Sequence, residues 1–213
     1  MYALDIETDT AVDGLDPRTA PIVAVALTGD DWEQVWNGEE IDILNELDSA
    51  IARLEPGVIT TWNGARFDLP FLADRAALCE VSLGLHLEAD QLARSPHDPL
   101  PGHRGGYLAT WYEHRHLDAY RVYRADVGAI MHLPCGLKPL ARLMGISPVE
   151  VDRERIHELS PQELHDYVAS DAIITRELAL RRWKTAQQSI DVVAQRVTES
   201  TQRITESTQR ITA

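Results

Sequence analysis

The stretch Tyr2-Ala3-Leu4-Asp5-Ile6-Glu7-Thr8 decides how the rest of the chain is read. Apolar and polar residues alternate through it, as in a half-buried strand, and Asp5 and Glu7 stand two residues apart. In a strand, residues i and i+2 project from one face. Two carboxylates side by side on a sheet repel each other unless something positive lies between them, and hard divalent cations take oxygen ligands. The stretch reads as half of a metal site or as an edge strand carrying two solvated acids.

Outward from it, Asp9 to Pro21 is a polar turn and Ile22-Val23-Ala24-Val25-Ala26-Leu27 a β-branched run suited to a buried strand. Gly29-Asp30-Asp31 turns the chain into Trp32-Glu33-Gln34-Val35-Trp36, a further strand. Three successive strands predict an antiparallel start to a sheet. Ile41, Leu44, Leu47, Ile51 and Leu54 then recur at helical spacing until Pro56-Gly57 stops them, and Val58 to Trp62 is again a strand. Strand, helix, strand in this order predicts an α/β protein: a mixed sheet, antiparallel in its first three strands and then parallel, flanked by helices.

Asn63-Gly64-Ala65-Arg66-Phe67-Asp68 follows that strand and leads into a helix running to Leu78, with Pro70 tolerated in the first turn. Asp68 thus sits where a strand gives way to a helix, either as a site residue or as a helix cap. Later, Ser160-Pro161-Gln162-Glu163 has the form of a capped helix start, and the helix it opens runs through Trp183 or beyond. Tyr167 and Asp171 on it are i, i+4 neighbours, an arrangement that also suits an ordinary half-buried helix surface.

The 213 residues suffice for one substantial core. A net charge of −14 and a pI near 4.9 exclude a broad basic surface that grips nucleic acid, but not an enzyme acting on it. Clustered carboxylates attract metal first, and the metal neutralises phosphate. The absence of a long apolar run or a signal segment predicts a cytoplasmic protein. Cys79 and Cys135, far apart, support neither a disulfide framework nor a zinc site and read as buried thiols. His86, His97, His103, His114 and His116 fit no ligand spacing and read as solvated loop histidines around the Pro- and Gly-rich segment 95–106. Arg94, Arg104, Arg115, Arg121 and Arg124 make this region locally basic, as a flank for an entering strand or as a solvated face. Near the C-terminus Val197 to Arg203 is echoed by Ile204 to Arg210, with one apolar residue in seven. That is half a coiled-coil seam, so 186–213 is expected to be a helical or disordered tail outside a domain spanning 1–185, with weak self-association the alternative.

Taken together, Asp-x-Glu on a first strand, Asn-x-x-x-Phe-Asp after a later strand and Tyr-x-x-x-Asp on a late helix resemble the DnaQ-like exonucleases of the ribonuclease-H-like superfamily. The likeness is to their tyrosine-bearing DEDD branch, as in the exonuclease domains of family B DNA polymerases, and covers roughly residues 1 to 185. The histidine branch would need a histidine where Asp166 stands. His116-Leu117-Asp118 also resembles an intermediate aspartate segment of the polymerase-like group. The resemblance implies a 3′–5′ exonuclease in which Asp5, Glu7, Asp68 and Asp171 hold two Mg²⁺ or Mn²⁺ ions and Tyr167 orients the attacking water. It implies that Asn63 and Phe67 shape the approach of a terminal nucleotide, with Trp62 or Trp111 stacking on bases, and the local excess of arginine adds Arg104 and Arg115 as a flank for the strand. The expected substrate is the 3′ end of DNA, single-stranded or frayed, with a separate DNA polymerase as partner. An exoribonuclease of the same fold, or a catalytically idle module binding a nucleic-acid end or a polymerase, are the alternatives.

Overall fold

The computed structural model describes residues 1–11, 13–91, 93, 100–188 and 190. Its first strand, β1 (Tyr2–Thr8), lies at the pivot of the sheet: β2 (Ile22–Thr28) runs antiparallel to it on one side, and β4 (Val58–Thr61) runs parallel on the other. β3 (Glu33–Asn37) continues antiparallel beyond β2. Past β4, β7 (His114–Asp118) pairs in parallel, and β6 (Tyr107–Trp111) and β5 (Leu85–Ala89) close the sheet with two antiparallel strands. The order is β3-β2-β1-β4-β7-β6-β5. This is the mixed α/β sheet of the ribonuclease-H-like fold, with the antiparallel start and parallel step expected from sequence. The antiparallel β5–β6–β7 end is an addition. β5, with Leu, Glu and Ala at most positions, has little intrinsic strand preference and forms by pairing with β6.

The two faces of β1 have different tasks. Leu4 and Ile6, with Val25 and Leu27 of β2, are buried against Ile43, Leu44, Leu47 and Ile51 of α1 (Glu40–Arg53) and Leu69, Phe71 and Leu72 of α2 (Asp68–Leu78). Each such burial contributes about 1.5–3 kcal/mol, which fixes the register of β1 and so the face its acids take. On the opposite face, α5 (Pro161–Arg181) packs Val168 and Ala172 onto Ala24 and Ala26 of β2. Asp5 is paired across the ladder with Ala26, and Glu7 with Ala24. Small side chains beside both acids let α5 come close to them. The start of α5 is fixed by a complete capping box between Ser160 and Glu163. α3 (Ala119–Tyr123) and α4 (Leu137–Leu143) lie against α5 through a cluster of Tyr123, Leu140, Ala141, Ile174 and Leu178.

Residues 183–188 continue in a helix, and Ala186 and Ile190 are buried against Leu117, Ala119, Val122 and Ala179. Packing thus runs past residue 185, because α3 and the end of α5 leave an apolar face that these two side chains cover. The repeat within 191–213 lies outside the described residues. Among those described, no helix is long and apolar enough to cross a membrane.

Candidate active site

β1 and α5 bring Asp5, Glu7 and Asp171 together: one carboxylate oxygen from each lies within 4.8 Å of the other two. They open onto a cleft of about 1140 Å³ that is also lined by Asp68, Trp62, Asn63, Phe67, Arg66 and Arg153. Burial, then repulsion from Asp171, Glu7 and Asp68, holds the Asp5 carboxyl well above the usual carboxylate range. Glu7 is pushed up to about 8, mainly by burial, against the pull of Arg153. Burial likewise pushes Asp171 to about 6, with Lys138 opposing it.

The donor set fits a hard divalent cation. It is all oxygen, it is crowded with carboxylates whose charge is disfavoured, and Asp171 Oδ1 is buried with no hydrogen-bond partner. The ammonium of Lys138 faces that oxygen with its Nζ 3.4 Å away. That ammonium offsets part of the cost of burying the carboxylate, and a cation bound among the three acids would offset the rest.

Asp68 lines the same cleft but stands outside the group of three. It is the first residue of α2, and the nearby backbone N–H groups of Asp68 itself and Ile6 favour its charged form. Burial and the neighbouring Asp118 push it up to about 7 in spite of these N–H groups. Its position depends on the preceding turn. Asn63 has φ +67°, and a Cβ on Gly64 would fall 2.3 Å from Thr61 Oγ1, so only glycine fits there. The turn is held from β7: the Asn63 N–H donates to Asp118 Oδ1 at 2.9 Å, and that oxygen also accepts from the Tyr120 N–H at 3.1 Å. Asp118 is buried and holds two turns together; it is not among the residues lining the cleft.

Tyr167 is fully buried and its hydroxyl has no hydrogen-bond partner. Burial raises its pKa far above the normal phenol value, with Glu7 and Asp171 adding to the effect. The side chain is therefore a hydrogen-bond donor rather than a base at any ordinary pH. Lys138 Nζ lies 3.7 Å from the centroid of its ring. No sequence spacing links Lys138 to the acids, since α4 reaches the site only through its packing on α5. Arg153, from the 3₁₀ segment Arg153–Glu158, carries no sequence signal of its place either.

Of the other expected residues, Trp62 lines the cleft with its ring against Tyr120 and Tyr123, at centroid separations of 6.1 and 5.6 Å. Phe67 lines it too, 5.3 Å from Phe71. Trp111 is instead a core residue, buried with its Nε1 donating to Asp48 Oδ1 at 2.7 Å. Neither Arg104 nor Arg115 lines the cleft. Arg115 pairs with Val58 at the start of β7, the end remote from Asp118, because β4 and β7 run parallel and the site forms at their C-terminal ends. Arg94 and His97 lie outside the described residues. Two further histidines differ from expectation. His114 is buried and bonds the Ile51 carbonyl, and His116 bonds Thr61 at 2.8 Å with its pKa pushed down to about 3 by burial. Both belong to β7 and not to a loop.

The fold and the carboxylate-lined cleft define a ribonuclease-H-like protein with a candidate metal site. Within that class the chain is similar to the exonuclease domain of family B DNA polymerases. The family model described as DNA polymerase family B, exonuclease domain, matches residues 33–127. A catalytic subunit of DNA polymerase epsilon from Eremothecium gossypii is 30% identical over 155 residues, covering 69% of this chain and 6% of that one. The Saccharomyces cerevisiae counterpart is 27% identical over 150 residues, 67% of this chain and 6% of that one. The family B DNA polymerase of the archaeon Pyrobaculum calidifontis shares the fold with a TM-score of 0.66 at 22% identity, over 85% of this chain and 24% of that one. The chain thus spans a small part of the polymerases it matches.

Proposed function

We propose that the chain is a metal-dependent 3′–5′ exonuclease that hydrolyses the terminal phosphodiester of DNA and releases nucleoside 5′-monophosphates. The observation that carries this reading is the convergence of Asp5, Glu7 and Asp171 within 4.8 Å of one another, with the Tyr167 hydroxyl buried and unpartnered. Asp5, Glu7 and Asp171, with Asp68 in the same cleft, are the residues that would hold Mg²⁺ or Mn²⁺, two ions in this reading. Such ions supply activation of water and neutralisation of charge on the leaving 3′ oxygen.

The chain's own residues do the rest. Tyr167, kept protonated by burial, donates a hydrogen bond that orients the attacking water and supports the developing charge. Lys138 holds the ring of Tyr167 and the carboxylate of Asp171 in a fixed relation. Trp62 and Phe67 offer faces on which a terminal base stacks, worth about 1–3 kcal/mol per base. The turn at Asn63, tied to Asp118, sets the wall opposite the acids. DNA is favoured because the relatives named above are DNA polymerases. A DNA polymerase is the partner that follows from the same likeness.

The test is digestion of 5′-labelled single-stranded DNA, duplex DNA and RNA with Mn²⁺ or with EDTA. A ladder of products shortened from the 3′ end, abolished by EDTA, is expected from DNA. Faster digestion of RNA would transfer the reading to an exoribonuclease, and end binding without cleavage would leave an idle binding module.

A further inference from the structure

Several arginines of this acidic chain are held by an acid, among them Arg75 by Glu40, Arg121 by Asp90, Arg142 by Glu150, Arg155 by Glu158, Arg176 by Asp30 and Arg182 by Asp126. Arg153 is different. It lines the cleft beside the densest group of acids in the described chain, yet makes no hydrogen bond or ion pair with any described residue. Its guanidinium is within electrostatic reach of Tyr167, Glu7, Asp5 and Asp171, which raise its pKa although burial opposes them. An arginine free to move would collapse onto such carboxylates. Its segment is tethered instead: Asp152 caps it by accepting from the Glu154 N–H at 3.1 Å, Ile156 is buried, and His157 Nδ1 lies 3.0 Å from Thr10 Oγ1 on the β1–β2 connection.

We propose that Arg153 is a phosphate-binding residue, whose fork takes the phosphate of a nucleotide lying over Asp5, Glu7 and Asp171. The inference rests on the exonuclease reading and names how that site holds its substrate. A guanidinium presents planar paired donors that match phosphate oxygens, and Arg153 presents them in the cleft that the acids also line. The base attached to such a phosphate has Trp62 and Phe67 as platforms in the same cleft. The opposing role, plain neutralisation of the acids, would be served better by a direct ion pair, which Arg153 does not make.

Binding of thymidine 5′-monophosphate and of a short single-stranded oligothymidylate, measured with Ca²⁺ present, decides between them for the wild type, Arg153→Gln and Arg153→Lys. Arg153→Gln should weaken both ligands about tenfold or more, the loss of one charge-assisted contact. It should also lower the slope of log affinity against log salt for the oligonucleotide by about 1. Arg153→Lys keeps the charge without the fork, so it should keep the slope and lose part of the affinity. It also decides the matter if the glutamine variant melts early. Unchanged nucleotide affinity and salt slope in both variants, with only the Mn²⁺ titration altered, would overturn the proposal in favour of a counterion. The exonuclease reading fails separately: a wild type that binds the nucleotide through Arg153 but hydrolyses no strand sinks that reading and leaves this one standing.

Discussion

Lys138 Nζ lies over the ring of Tyr167, 3.7 Å from its centroid, and thereby fixes a phenol whose hydroxyl has no hydrogen-bond partner. A partly desolvated ammonium on an aromatic face contributes about 0.5–2 kcal/mol, so the pair is a geometric constraint as well as an electrostatic one. The same ammonium faces Asp171 and works against the burial that pushes this carboxyl to about 6. Without the cation, protonated Asp171 is favoured further. Lys138→Gln should therefore move the acidic limb of Mn²⁺ binding against pH to higher pH, while Lys138→Arg restores much of the limb. A glutamine variant with an unmoved limb would remove Lys138 from the site's electrostatics.

The acids also predict how the metal-free protein responds to pH. Glu7, Asp68 and Asp171 are raised to about 8, 7 and 6 from ordinary values of 4.5, 3.8 and 3.8. A carboxyl raised on folding binds its proton more tightly in the folded state, so the stability it contributes is complete below about pH 4 and is lost as pH rises towards 8. Thermal melting in EDTA should show Tm falling across that window, each kcal/mol being worth about 2–4 °C in a chain of this size. Mn²⁺ at the upper end should restore it. Asp5→Asn should melt higher than wild type in EDTA, because one repelling charge is gone, and should abolish hydrolysis. Full turnover of that variant at saturating metal would remove Asp5 from the metal ligands.

Asp118 acts at a distance from the cleft. Its Oδ1 holds the N–H groups of Asn63 and Tyr120 at 2.9 and 3.1 Å, and through the Asn63 turn it sets where α2 begins. Asp118→Ala should cost about 1.5–3 kcal/mol, the range for hydrogen bonds to a charged acceptor, and lower kcat by displacing Asp68. Asp118→Asn keeps the acceptor and should recover most of the stability. Equal losses in both would mean that the charge itself is needed.

The end of the domain can be tested by truncation. Ala186 and Ile190 are buried against Leu117, Ala119, Val122 and Ala179, whereas the sequence pattern ends the domain at 185. A chain ending at residue 190 should keep the melting temperature and activity of the full chain. One ending at Lys184 should lose at least the burial of Ile190, about 1.5–3 kcal/mol. Identical melting of the two truncated chains would return the boundary to 185.

What the sequence announced were features set by neighbours in the chain. The alternation around Asp5 and Glu7, the strand-to-helix junction at Asp68 and the capping box that starts α5 each depend on local steric and hydrogen-bonding rules, and each is where it was expected. What it hid depends on packing between distant segments. Arg115 looked like a strand-binding residue, but the parallel pairing of β4 with β7 puts it at the far end from the acids. His114 and His116 looked solvated because they follow a turn-rich segment, and β7 buries them. Lys138 reaches Tyr167 only because α4 packs on α5. Arg153 is carried to the cleft by a 3₁₀ turn whose anchor, Thr10, is far away in the chain.

Tyr167 gives the most discriminating test, because its role can be removed without its ring. The ring is fully buried and packs under Lys138, so Tyr167→Phe keeps the core and deletes only the unpartnered hydroxyl. Deleting a buried hydroxyl that has no partner should leave the melting temperature equal or slightly higher, whereas loss of a bonded hydroxyl would lower it. If the hydroxyl orients the attacking water, kcat should fall by about 10²–10⁴ with little change in substrate affinity or in the number of Mn²⁺ bound. Because burial keeps the phenol protonated, neither limb of the wild-type pH profile should belong to it, and the phenylalanine variant should keep the wild-type profile at a lower level. Single-turnover hydrolysis with Mn²⁺ measures this directly. A wild-type rate from Tyr167→Phe would make Tyr167 a packing residue of α5 and leave the orientation of water to a donor that lines the cleft.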